Sequence, residues 1–197
     1  MKTKKISIVY LFGSIYYIFA EIICVLFFKD SLLNTYLLHT ISELGIPSIN
    51  SPFFQLMNSA FILIGLTLLI GNFSKFKEYI IKNKVLYYLL TIVTSMGVII
   101  VGLIHGGNPL TSGYHTLGAV MAILGGNILL IIISRSMNKN YQYQITTLLL
   151  GIIGLIAFWI MFFNMTNIYM PVLERLSVYT LILWNFITGI LLFREKL

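Results

Sequence analysis

The sequence predicts an all-α membrane protein: a bundle of six transmembrane helices with both termini in the cytoplasm and a short amphipathic helix in the first outer loop. Its composition is one reason. Hydrophobic residues make up 58% of the 197 positions and charged residues only 10%, whereas soluble domains carry about 25% charged residues. The second reason is that apolar runs of about 20 residues, enough to cross a bilayer as helices, can be placed six times. No linker or low-complexity tract divides the chain, so we expect a single membrane domain covering residues 1–197.

The six predicted spans follow directly from these apolar runs. They cover residues 6–28, 53–73, 85–104, 116–134, 145–163 and 176–193. The first run follows "MKTKK" and so resembles a secretory signal. It exceeds the usual apolar region of about 7–15 residues, and no A-x-A site follows it, so we interpret it as a permanent span.

The positive residues predict the orientation, because Lys and Arg accumulate on the cytoplasmic side. Eleven of the 13 fall on one side of the predicted spans. They are Lys2, Lys4, Lys5, Lys75, Lys77, Lys82, Lys84, Arg135, Lys139, Arg194 and Lys196. Only Lys29 and Arg175 fall on the other side. We therefore expect a multi-pass protein of the plasma (cytoplasmic) membrane. The asymmetric distribution of Lys and Arg accounts for most of the net charge of +7, so no nucleic-acid partner is needed to explain this charge.

The first outer segment has the pattern of a helix. Asp30 or Ser31 can cap its start, and Gly45 followed by a proline predicts its end. Its apolar positions at helical spacing are Leu33, Leu37, Ile41 and Leu44. An amphipathic helix at the outer membrane surface, or folded over the mouth of the bundle, is expected. On such a helix His39 and Glu43 are neighbours, because they are four residues apart.

Polar residues with functional chemistry concentrate on the predicted outer side. The candidate catalytic or binding residues are His39, Ser42, Glu43, Asn58, His105, His115, Glu174 and Arg175. We expect Glu43 and Ser42 to approach a set of four partners within hydrogen-bonding or one-water reach, because polar groups near hydrocarbon must satisfy one another. These partners are Asn58, His115, Glu174 and Arg175. Glu21 is a buried acid about 10 Å inside the first span, so it should face the bundle, be protonated or pair with a cation.

Three functional hypotheses remain open. The first is a hydrolytic or acyl-transfer site for a lipid or lipid-linked substrate, in which the histidines and Glu43 or Glu174 supply zinc ligands or an acid/base pair. Zinc is a candidate cofactor, although no H-E-x-x-H or C-x-x-C spacing supports it, so the metal is unknown. The second is a noncatalytic pocket that binds or senses a lipid, peptide or other amphiphile. The third is a small proton-coupled transporter using Glu21, against which stand the lack of an internal repeat and of a Pro-broken span.

A structural role is the alternative for each of these residues. Histidines and glutamates at span ends often satisfy helix termini or pair with one another. Glu174 and Arg175 in particular suit a structural anchor, since adjacent residues on a helix do not face each other. Membrane lipids are the expected partners, and the oligomeric state is open.

Four short motifs resemble a known family. They are "ISELG", then "NSAFILIG" beginning at Asn58, then a Gly-rich outer loop ending in "HTLGAV", then "ERLSVYTLILWN". In this order they resemble the domain of unknown function 998 family of predicted membrane proteins. More distantly, the chain is similar to the Frag1/DRAM/Sfk1 family, which has an "ISD-G" stretch in the corresponding loop.

These resemblances imply a six-helix bundle whose outer loops carry the shared residues. In this chain those residues are Ser42, Glu43, Asn58, His115, Glu174 and Arg175. The nearer family names no activity. The distant family includes proteins tied to lipid remodelling and lipid organisation, which favours a lipid-related function by analogy only.

Overall fold

A computed structural model describes residues 3–49, 51–137, 140–164 and 168–197 of the chain. Lys2 and Lys139, two of the residues used above for orientation, lie outside these ranges. The described residues form seven α-helices and three short 3-10 helices, and no strand occurs among them. The α-helices are α1 (Thr3–Leu26), α2 (Leu32–Leu38), α3 (Phe54–Phe73), α4 (Lys84–Leu103), α5 (Ser112–Ser136), α6 (Tyr141–Phe163) and α7 (Met170–Phe193). The 3-10 helices are Ser42–Gly45, Pro47–Ile49 and Phe76–Tyr79.

Every α-helix except α2 is long and apolar enough to cross a membrane. These six helices overlap the six predicted spans. The main differences are at the amino ends of α5, α6 and α7, which begin several residues before the predicted starts, at Ser112, Tyr141 and Met170. Hydropathy does not detect these turns because they contain polar residues such as His115 and Arg175.

The six long helices form a ring in which each packs against its neighbours in the chain and α7 packs against α1. Close approach between helices depends on small residues. Gly97 of α4 lies so near the α5 backbone at Gly118 and Ala122 that a Cβ atom there would overlap it. Gly102 meets the α3 backbone at Asn58 in the same way.

Loop residues fill both ends of this ring. At one end Ile41 and Leu44, from the connection between α1 and α3, are 1% and 0% exposed and pack among side chains of α1, α3, α4 and α7. At the other end Phe76, from the connection between α3 and α4, packs against Tyr10 and Trp184 with edge-to-face geometry. We call the connection between α1 and α3 the first loop, and the end of the bundle that it covers the capped end.

The first loop is not the continuous helix that its sequence pattern predicts. Ser31 caps α2 by accepting a hydrogen bond from the Asn34 amide, but α2 ends at Leu38. His39 is extended, and helical geometry resumes only in the 3-10 helix Ser42–Gly45. The helix is interrupted because side chains of α7 take the backbone groups that a continuous helix would pair internally.

Candidate functional site

Arg175, in the second turn of α7, connects three parts of the structure at the capped end. Its side chain is buried. The Nε atom donates to Oε1 of Glu21 on α1 at 3.1 Å. The Nη1 atom donates to two backbone carbonyls of the first loop, Tyr36 at 3.0 Å and His39 at 2.6 Å. One guanidinium therefore ties α7 to α1 and to the first loop.

Glu21 is 1% exposed and lies inside the helix ring, as expected for a carboxylate at this depth. Its second oxygen accepts a hydrogen bond from the Tyr179 hydroxyl at 2.8 Å. A carboxylate in hydrocarbon is costly unless it is paired, and here Arg175 is the cation that pairs with it.

Tyr36 of the first loop lies beside this pair, with its ring 5.0 Å from the Arg175 guanidinium. Burial raises the pKa of the Tyr36 hydroxyl. The negative charge of Glu21 raises this pKa further, and the positive charge of Arg175 partly offsets the increase.

Glu174 holds the first loop at a second point. Its Oε2 atom accepts a hydrogen bond from the Ile41 amide at 2.6 Å. Glu174 and Arg175 are adjacent in the chain, but their side chains have different partners. In a continuous helix the Ile41 amide would bond to the carbonyl of Leu37. Glu174 and Arg175 together bind three backbone groups of the first loop, so α7 determines the backbone path of this loop.

His39 and Glu43 lie on the more exposed face of the first loop. His39 Nε2 is 2.6 Å from Asp30 Oδ2, and its Nδ1 is 3.4 Å from Glu43 Oε2. Glu43 Oε2 also accepts a hydrogen bond from the Thr40 amide at 2.7 Å. The hydroxyls of Ser42 and Thr40 are 3.2 Å apart. These side chains are therefore occupied mainly with one another.

Asn58 and His115 satisfy backbone carbonyls at the same end of the bundle. Asn58 Nδ2 donates to the Gly45 carbonyl at 2.9 Å, which ties α3 to the first loop. His115 Nδ1 is 2.6 Å from the Ile104 carbonyl, so this nitrogen carries the proton. The buried Nδ1 of His105 has no hydrogen-bond partner among the described residues.

The approach of Ser42 and Glu43 to Asn58, His115, Glu174 and Arg175 within hydrogen-bonding or one-water reach stays a prediction. Within the described part of the chain, no hydrogen bond joins the side chains of Ser42 or Glu43 to those of Asn58 or His115. The first loop is held by hydrogen bonds between its backbone and the side chains of Asn58, Glu174 and Arg175. The Glu43 carboxylate instead accepts a hydrogen bond from the Thr40 amide of the same loop. No group of three or more His, Cys, Asp or Glu side chains in the described ranges could hold a metal ion.

Beneath the first loop, inside the helix ring, lies a cavity of about 50 Å³. Ile41 and Ser42 line it from the loop, and most of its wall consists of apolar side chains from α3, α4, α5 and α7. Its polar lining residues are Tyr17, Ser42, Asn127, Glu174 and Ser177. The buried Tyr17 hydroxyl has no hydrogen-bond partner among the residues that the structure describes. The cavity is therefore an apolar chamber with a few polar groups on its wall.

Sequence reasoning missed the tyrosines of this site. Tyr17 lines the cavity, and Tyr179 donates to Glu21. Their spacing was a usable signal, because Tyr17 is four residues before Glu21 and Tyr179 is four residues after Arg175. Residues four apart share a helix face, so each tyrosine is expected on the same face of its helix as the buried charge.

Comparison with known proteins identifies the family. No curated protein and no solved structure matches the chain, and similarity to the Frag1/DRAM/Sfk1 family is not shown. The sequence model of a family described as protein of unknown function (DUF998) matches residues 14–191. This match covers most of the chain, including the capped end and all but the last two residues of α7. The chain is therefore a multi-pass membrane protein that belongs to the DUF998 family.

Proposed function

We propose that the protein binds a membrane lipid or lipid-linked amphiphile in the cavity beneath the first loop, without catalysing a reaction. The observation that carries this proposal is the composition of the cavity wall, which is mostly apolar with a few polar groups. Ligand sites for amphiphiles combine apolar walls with a small number of polar groups that orient the ligand. The Tyr17 hydroxyl, which has no partner within the described part of the chain, offers a hydrogen bond to the polar part of such a ligand.

Binding requires the first loop to move. The cavity of about 50 Å³ is far smaller than typical ligand pockets of about 300–1,000 Å³. Withdrawal of Ile41 and Ser42 would open the chamber from the capped end. Such a movement breaks the hydrogen bonds that Glu174 and Arg175 make to the loop backbone. These bonds therefore control access to the cavity.

In this proposal the capped end faces the outside of the plasma membrane and the bulk of the Lys and Arg residues face the cytoplasm. The four leucines of α2 are about half exposed while Thr35 of the same helix is buried, an arrangement that suits a helix lying in the membrane interface.

Single-cysteine labelling tests this orientation. Leu110 lies in the connection between α4 and α5 and is 89% exposed, and Lys84 lies at the opposite end of α4. In intact cells a membrane-impermeant maleimide should label Leu110→Cys and leave Lys84→Cys unlabelled. The native Cys24 is buried, so background labelling should be low. Labelling of Lys84→Cys from outside would contradict the orientation.

Photolabelling tests the binding site. The purified protein would be incubated with a diazirine-bearing phospholipid, irradiated and digested, and the labelled peptides identified by mass spectrometry. We expect labels on residues that line the cavity, and we expect Val98→Phe, which fills it from α4, to reduce them severalfold. Val85→Phe, at an exposed position of the same helix, is the matched control and should have no effect. Labels confined to the outer faces of the helices, or unchanged in Val98→Phe, would refute the proposal.

A further inference from the structure

The buried carboxylate of Glu174, at the capped end, has no cationic partner among the described residues. Glu174 is 8% exposed, and no Lys, Arg or His of the described ranges forms an ion pair with it. The buried guanidinium of Arg175 pairs instead with Glu21 at 3.1 Å. Within the described part of the capped end, two buried carboxylates thus accompany one buried guanidinium. Buried charges are normally paired, so Glu174 is the group that lacks a positive partner.

Glu174 lines the cavity beneath the first loop, whereas Arg175 is not part of its wall. The Oε2 atom of Glu174 accepts a hydrogen bond from the Ile41 amide. No hydrogen bond from a described residue reaches its other oxygen, Oε1. The described residues that line the cavity include no Lys, Arg or His. The wall therefore offers an acidic group with a free oxygen, and the described part of the wall offers no basic group.

The Tyr17 hydroxyl is the second free polar group of the cavity. Tyr17 is 1% exposed, and its hydroxyl has no hydrogen-bond partner within the described ranges. The remaining polar side chains of the wall are engaged. Asn127 donates to the Ser177 carbonyl at 3.0 Å, and the Ser177 hydroxyl donates to a backbone carbonyl of α6 at 2.8 Å. The Ser42 hydroxyl lies 3.2 Å from that of Thr40. A ligand therefore meets one carboxylate and one phenol hydroxyl.

Opening of the first loop increases the need of Glu174 for a positive partner. Withdrawal of Ile41 removes the amide that donates to this carboxylate. The carboxylate would then face an apolar chamber with neither a donor nor a cation, which is costly. A ligand with a positive charge offsets this cost, whereas a carboxylate or phosphate in the ligand adds repulsion. Arg175 keeps Glu21 as its counter-ion, so it requires no anionic ligand.

We propose that the amphiphile bound beneath the first loop carries a primary ammonium group, which pairs with Glu174 while the alkyl chain packs on the apolar wall. This inference rests on the proposed function and names the head group of its ligand. A primary ammonium has three N–H donors, enough for Glu174 Oε1 and the Tyr17 oxygen. It is also compact, which suits a cavity of about 50 Å³.

Photolabelling with probes that differ only in their head group tests this inference. The probes are dodecylamine, dodecanol and dodecanoic acid, each with a diazirine at the same position of the chain. The purified full-length protein would be incubated with each probe in detergent near neutral pH, irradiated and digested. Label that Val98→Phe removes is assigned to the cavity. We expect half-maximal cavity labelling at an about tenfold lower concentration of the amine than of the alcohol, and the weakest labelling by the acid.

Variants of the two free polar groups identify the partner of the ammonium. Glu174→Gln keeps an acceptor oxygen for the Ile41 amide but removes the charge, so the amine should lose its advantage over the alcohol. Tyr17→Phe should weaken labelling by the amine severalfold, and it replaces Glu174→Gln as the test if that variant does not fold. Glu43→Gln removes a carboxylate on the more exposed face of the first loop. It is the matched control and should keep the preference for the amine.

Competition distinguishes the source of the ammonium group. Excess unlabelled palmitoyl-oleoyl phosphatidylethanolamine should displace the amine probe if the ligand is a phospholipid with an ammonium head group. Displacement by unlabelled dodecylamine alone indicates a single-chain amine. Either result supports the inference. Failure of both competitors overturns it, because the labelling is then not saturable.

Three further results would overturn the inference. The first is equal cavity labelling by the three probes, or a preference for the acid, which contradicts the ammonium group but leaves the proposed function intact. The second is a preference for the amine that folded Glu174→Gln retains, because the positive charge then meets another group; if that variant does not fold, an unchanged response of Tyr17→Phe has the same meaning. The third is wild-type protein without cavity label from any probe, which contradicts the proposed function as well.

Discussion

Replacing Glu21 by methionine should strongly destabilise the bundle, because it leaves the Arg175 charge buried without a counter-ion. The two side chains are 1% and 6% exposed and are joined at 3.1 Å. The same substitution removes the acceptor for the Tyr179 hydroxyl. Glu21→Met therefore leaves two partners on α7 unpaired, the Arg175 guanidinium and the Tyr179 hydroxyl one turn further along the helix.

The expected magnitude follows from these contacts. Breaking a buried ion pair by removing one partner costs about 3–5 kcal/mol, which is roughly two to three and a half orders of magnitude in the folding equilibrium constant. In the double variant Glu21→Met/Arg175→Met no unpaired charge remains, so it should be less destabilised than the sum of the single variants by about 2–3 kcal/mol. It still loses the bonds from Arg175 to the first loop, so full recovery is not expected.

The assay is reversible unfolding in mixed detergent micelles, followed by circular dichroism and by the fluorescence of the two tryptophans, the fully buried Trp184 and the partly exposed Trp159. Glu43→Met is the matched control, because the Glu43 side chain is 37% exposed and such surface pairs contribute about 0–1 kcal/mol. If Glu21→Met costs no more than Glu43→Met, or if the double variant equals the sum of the singles, the coupling inferred between Glu21 and Arg175 is refuted.

Two further predictions use the same unfolding assay. Asn58→Ala removes the donor to the Gly45 carbonyl and should cost about 1 kcal/mol, together with faster proteolysis of the first loop; an unchanged cleavage rate would contradict a holding role for Asn58. Gly154→Ala places a methyl group against the Asn127 side chain and should cost about 1–3 kcal/mol through overpacking. Gly113→Ala, where a Cβ atom meets open space, is its control and should be neutral or stabilising. Equal effects of the two glycine substitutions would show that close packing at Gly154 does not matter.

Most residues of the candidate site could be identified from the sequence, but the contacts between them could not. The grouping of polar residues at one end of the bundle follows from where they stand relative to the apolar runs. The interior position of Glu21 follows from the cost of a carboxylate in hydrocarbon. The partners could not be predicted in this way, because Glu43 bonds within its own loop while Glu174 reaches the Ile41 backbone.

The sequence by itself determined that the chain forms six membrane-spanning helices, because the length and hydropathy of an apolar run are local properties that decide whether a helix can cross hydrocarbon. Only the tertiary structure decided where the first loop leaves helical geometry and which buried charges meet. Arg175 and Glu21 form an ion pair although they are 154 positions apart in the chain. They meet because α7 packs against α1 and closes the ring. Once the ring is closed, the buried Nη1 of Arg175 has no solvent to bond and donates to the carbonyls of Tyr36 and His39, which interrupts the helix of the first loop.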